Sequence, residues 1–175
     1  MSEAAQTSAA RLGVEERQLE LTKFLMGDDP LGMVLRAHMH IEEELVAFIT
    51  ANGHLKNTIP SKYAHLCALA FKLGLAEQFR AQLHVLGKLR NRFAHRKNAV
   101  IELSDAQMFD AAHDPDDTVV EYAYRSTLSK LNDSVRKPSV KNLEPKEQVV
   151  LHIVTLWAGV AVAAAKANQS SAAKD

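Results

Sequence analysis

The run Val149 to Ala165, VVLHIVTLWAGVAVAAA, constrains the fold more than any other part of this chain. Apolar residues fall on every side of a helix wound through it, so nearly the whole cylinder has to be covered. At 17 residues it stands at the short limit for a membrane span, and it is rich in alanine and carries His152. It is read as a buried helix from about Lys146 to Ala167, with Leu156, Trp157 and Val160 in the core or in a dimer seam. His152 is read as a buried, hydrogen-bonded histidine. Composition says what surrounds the helix: seven glycines, five prolines and 6% aromatics in 175 residues leave too few turn residues for a many-stranded sandwich.

The rest of the chain repeats the helical period. Val14 to Met26 reads as a first helix, ended by Gly27-Asp28-Asp29-Pro30. Asp29 then caps a second helix with Pro30 at its first position. Leu31, Val34, Leu35, His38, Ile41, Leu45 and Phe48 recur at threes and fours, carrying that helix to about Ala51, where Asn52-Gly53 breaks it. Ser61 is expected to cap a third helix that ends near Leu73, with Gly74 as its stop. A fourth runs from about Ala76 to Phe93. Ala99 to Leu103 reads as extended, and Ser104-Asp105-Ala106-Gln107 as a capping box opening a short helix. Asp114 to Asp117 is a turn, Thr118 to Thr127 fits helix or strand equally, and Lys137 to Pro145 is a loop. The expected fold is an all-α bundle of five to seven helices: a disordered segment at 1–13, one helical domain at 14–168, and a frayed tail at 169–175.

Lysine plus arginine and aspartate plus glutamate balance at 21 each, which removes the bulk charge a duplex-coating protein uses. Any nucleic-acid contact must come from a local patch. The one cysteine, Cys67, excludes an internal disulfide and reads as a structural thiol in an apolar pattern. MSEAAQTSAARLG has no apolar signal core, so the cytoplasm is expected and a membrane is not.

The patch is KLRNRFAHRK, Lys88 to Lys97, with no acid in it. Arg90 offers a forked cation for phosphate oxygens, His95 can move a proton near neutral pH, and Asn91 can position a substrate. Lys88, Arg92, Arg96 and Lys97 can track a phosphate backbone. Helix geometry limits the chemistry. Asn91 and His95 share a face, whereas Arg90 and His95 stand about 140° apart on an ideal helix. They meet at one atom only if the helix ends near Ala94 or if two copies pair their fourth helices across a two-fold. Such a basic cleft suits metal-independent RNA cleavage, with His95 as acid or base and Arg90 on the phosphate. The plainer reading is a helix C-terminus, where cations offset the negative end of the dipole.

Taken with IPSKYAHLCALAFKLGL (Ile59 to Leu75), LHVLGKLRNRFAHRK (Leu83 to Lys97) and ELSDAQMF (Glu102 to Phe109), the chain resembles the mannitol-repressor (MtlR-like) family of helical proteins over about residues 57 to 110. It is also similar to the wider HEPN superfamily, whose Arg-x4-6-His ribonuclease motif Arg90, Asn91 and His95 would fill. The first resemblance implies a non-enzymatic transcriptional regulator, a repressor working through protein partners. The second implies a dimeric helical bundle with a metal-independent endoribonuclease site, toxin-like in some members.

Other motifs carry less. His38 with Glu42, and His40 with Glu44, stand one turn apart but on different faces, and no further ligands complete a shell, so no metal is expected. There is no Gly-rich phosphate loop, no CxxC and no Ser-His-Asp or Cys-His arrangement, so no cofactor is expected either. The turn around Gly74 precedes a helix with too few polar residues to read bases directly. A homodimer, a protein partner and contact with RNA are the expected associations.

Overall fold

The computed structural model describes residues 3–113, 125, 127, 128 and 143–172, with side chains from residue 13 onward. The fold is all-α. Among the described residues it has six α-helices and no strand: α1 Glu3–Gly27, α2 Pro30–Ala51, α3 Tyr63–Lys72, α4 Phe79–His95, α5 Leu103–Ala111 and α6 Pro145–Ala172, with a 3-10 turn at Lys56–Thr58. The turn expected at Asp114 to Asp117 and most of the two-way segment Thr118 to Thr127 lie outside the described residues, although Arg125 and Thr127 are helical.

Helix α6 is the axis. Every residue from Val149 to Ala161 is buried, and α1, α2, α4 and α5 all pack on it. It is long and apolar enough to cross a membrane, yet most of that apolar stretch is buried inside the protein. Trp157, Leu156 and Val160 belong to the core of the single chain. Close packing fixes where α4 meets it. A Cβ on Gly159 would stand 2.6 Å from Cε1 of Phe79, so only glycine leaves room for that ring.

Local chemistry explains the helix ends. Asp29 accepts hydrogen bonds from the backbone N–H groups of Leu31 and Gly32 at 2.9 and 3.0 Å, with Pro30 opening α2 as expected. Gly74 has φ +97° and closes α3: its N–H donates to Phe71 and the N–H of Leu75 to Ala70, both at 3.0 Å, while Leu75 is buried beside them. The C-terminus of α1 has no cation of its own. Lys146 supplies one from α6, donating to the carbonyl oxygens of Met26, at 2.9 Å, and Asp28.

Several boundaries depart from the sequence reading, among them α4, expected over about Ala76 to Phe93 and found over Phe79–His95. Helix α1 begins at Glu3 rather than near Val14, taking in most of the segment expected to be disordered. Among the residues whose side chains are described, its buried face is Val14, Gln18, Leu21, Thr22 and Leu25. The sequence ahead of Val14 is small and polar, with no periodic stripe to read. Lys62, not Ser61, precedes α3, without a side-chain cap. The cap of α5 is Glu102 rather than Ser104, because the Asp105 carboxylate accepts from the Glu102 N–H at 2.8 Å. Helix α6 continues to Ala172, through residues expected to fray.

Candidate functional site

Helix α4 presents two faces. Phe79, Gln82, Leu83, Leu86, Leu89 and Phe93 are buried, and His84, Lys88, Asn91 and His95 form an exposed polar stripe on the opposite side. The helix ends one residue past Ala94, with His95 still inside it. It runs unbroken through His95, and the N–H of Arg96 closes it on the carbonyl of Arg92 at 3.1 Å. Arg90 and His95 therefore keep their angular separation of about 140°.

Each predicted site residue has a definite place. Lys88, Asn91 and His95 lie exposed on one face, and Arg96 and Lys97 are exposed just beyond the helix. Arg90 is half-buried on the side toward α2, donating to the Asn91 side-chain oxygen at 3.3 Å. Its charge reaches His38 and Glu42. Burial lowers the His38 pKa to about 4, with Arg90 adding to the effect, while burial raises the Glu42 carboxyl and Arg90 opposes it. Arg92 is engaged within the fold. Its guanidinium donates to Asp105 at 2.6 Å and to the Val100 carbonyl at 3.1 Å, and the Asp105 side chain is 1% exposed. Arg92 staples the end of α4 to the start of α5 instead of lying open with Lys88.

The residues beside this stripe make a groove that the motif alone did not reveal. Helices α3 and α4 enclose a cavity of about 370 Å³ lined by Tyr63, Cys67, Phe71, Arg80, Lys88 and Asn91, among others. A Cβ on Gly87 would stand 3.0 Å from Cε1 of Tyr63, so the approach of the two helices depends on that glycine. The Tyr63 ring packs against His38 with centroids 4.3 Å apart, and its hydroxyl donates to the Leu83 carbonyl at 2.9 Å. Arg80 pairs with Glu77 through two bonds of 2.5 and 2.7 Å and lies 4.0 Å over the Phe71 ring. Burial pushes the Cys67 thiol up to about 11 against the pull of its hydrogen bond with Tyr63, so it stays protonated and unreactive at neutral pH.

A wider window carried the missed signal. Between Lys56 and Lys97 stand nine lysines and arginines and one acid, Glu77. Out of 21 of each, that leaves twelve cations and twenty acids for the remainder, so a neutral chain is split into a basic helix pair and an acidic body.

The α2 acids and histidines are spread out. His38 faces Glu42 at 3.4 Å, His40 faces Glu43 at 3.4 Å rather than Glu44, and Glu44 pairs with Arg17 of α1. Among the described residues, no three His, Cys, Asp or Glu gather as metal ligands. In comparisons with known proteins, no family model, no curated protein and no solved structure matches the chain.

Proposed function

We propose that this protein is a non-enzymatic cytoplasmic regulator of the mannitol-repressor kind, acting through a protein partner that docks on α3 and α4 rather than through a DNA-reading helix of its own. One observation carries this reading. Arg80 and Lys88 line the groove, while the two groups a nuclease would need, Arg90 and His95, stand about 140° apart on one continuous helix. A binding surface tolerates that divergence; a single-chain active site does not.

A photo-crosslinking residue at position 84, on the exposed stripe, compared in cells with one at position 16 on α1, tests it. Adducts from position 84 are expected to be with a discrete protein. Adducts confined to RNA, or equal yields at both positions, would count against the proposal.

A second reading has its own support. Asn91 and His95 share an exposed face, where a second copy of the chain can bring another Arg90 to them. In that homodimer the motif would form a metal-independent endoribonuclease. Incubation with single-stranded and structured RNA in EDTA separates the readings: cleavage by wild type, lost in both His95→Ala and Arg90→Ala while both stay folded and dimeric, would establish the nuclease.

A further inference from the structure

We propose that the α3–α4 groove is the docking site for an acidic amphipathic helix, whose small apolar residues lie along the floor while its carboxylates reach the cations on the rim. The inference rests on the partner-mediated reading above and gives that partner its chemistry.

The floor is made of very small groups. Ala64 and Ala68 stand one turn apart on α3 and are exposed, and Gly87 faces them from α4. At these three positions nothing is larger than a methyl, so a third helix can approach closely there. The length also fits. From Arg80 to Asn91 the groove follows α4 for about 16 Å, three helical turns of a partner. Strand addition would need a sheet edge to pair with, and the described residues contain no strand.

The rim supplies the charge. Lys88 lines the groove from α4, and Lys72 follows Ala68 one turn along α3, both exposed. Arg80 is held by Glu77 in an exposed pair, and an incoming carboxylate can take the place of Glu77 at little cost. Since Glu77 is the one acid between Lys56 and Lys97, nothing else in these helices repels an anionic partner.

Single-stranded nucleic acid would meet the same cations but not the stacking surface it needs. The Tyr63 ring is taken up by His38, and its hydroxyl by the Leu83 carbonyl. Arg80 covers the Phe71 ring. Neither aromatic face is left open for a base to stack on, whereas Ala64, Ala68 and Gly87 leave room for the small side chains of a helix.

The test uses the full chain and a fluorescein-labelled helical peptide with glutamates on one face and alanines on the other, followed by anisotropy. Comparators are the same peptide with every glutamate replaced by glutamine and a single-stranded RNA of equal net charge. The acidic helix is expected to bind with a Kd on the order of 10 µM and to weaken about tenfold or more with Lys88→Glu or Ala68→Trp. Both substitutions are at exposed positions, and unchanged thermal melts would confirm that each variant folds. Tighter binding of the RNA than of the peptide, no peptide binding at all, or binding indifferent to Ala68→Trp would overturn the proposal. If the peptide fails while position 84 still crosslinks to a protein, only the acidic-helix assignment falls. RNA cleavage in EDTA that needs His95 and Arg90 would remove the partner-mediated reading itself.

Discussion

Helix α6 and the α3–α4 pair solve opposite problems. α6 spends its apolar surface inward, and its middle turns are in contact with protein on all sides. The α3–α4 pair buries one face and leaves outward a mixture of methyl groups and cations larger than stability requires. Burial of apolar area drives folding, whereas exposed like charges contribute little or oppose it. The first region is therefore accounted for by the fold alone, and the second has a composition that folding by itself does not call for.

Substitutions can break or sharpen that contrast. The largest effect is expected in the core: Trp157→Ala should cost about 3–5 kcal/mol, read as a lowered denaturation midpoint. A loss below about 1 kcal/mol would mean the axis is less tightly packed than described.

Acid should act next. Burial lowers both His38 and His152 from 6.5 to about 4, so between these values the unfolded chain takes up protons that the native state refuses. Stability is complete above about pH 6.5 and falls on acidification toward pH 4, by on the order of 3 kcal/mol for each histidine. Glu42 and Glu44, whose carboxyl groups burial raises, offset part of this. Denaturant midpoints at pH 7, 5.5 and 4.5 would reveal the slope, and a flat profile would contradict the burial of these rings.

Asp105→Ala removes both the Arg92 anchor and the acceptor at the start of α5, and should cost about 2 kcal/mol, with α5 losing hydrogen-exchange protection first. The smallest effect belongs to the basic face. Lys88→Glu with Lys97→Glu should change stability by less than about 0.5 kcal/mol while abolishing retention on a polyanion column. A destabilisation comparable to that of Asp105→Ala would show that these lysines support the fold after all.

Legibility in the sequence followed the range of the interaction. Asp29, Pro30, Gly53 and Gly74 marked helix ends correctly because caps and left-handed turns are set within a few residues. The apolar run of α6 announced its own burial. Longer-range chemistry was hidden. Nothing local distinguishes Arg92, tied to Asp105, from Lys88, which is open to solvent; the two sit in one basic stretch and differ only by the turn of the helix. The groove was missed for a related reason. Ala64 and Ala68 carry no signal of their own in the sequence, and the groove beside them exists only once α3 packs against α4. The charge split over Lys56 to Lys97 was present in the sequence, but a ten-residue motif drew the eye to its last quarter.

The Lys146 bridge to Met26 and Asp28 joins positions 120 and 118 residues apart. Helix α6, which all the longer helices pack against, enters the chain after every one of them. During synthesis, α1, α2 and α4 wait with their apolar faces open until α6 has left the ribosome, and pairing across so long a separation slows folding. Such a chain is most exposed to chaperones, proteases and aggregation in the interval before α6 emerges.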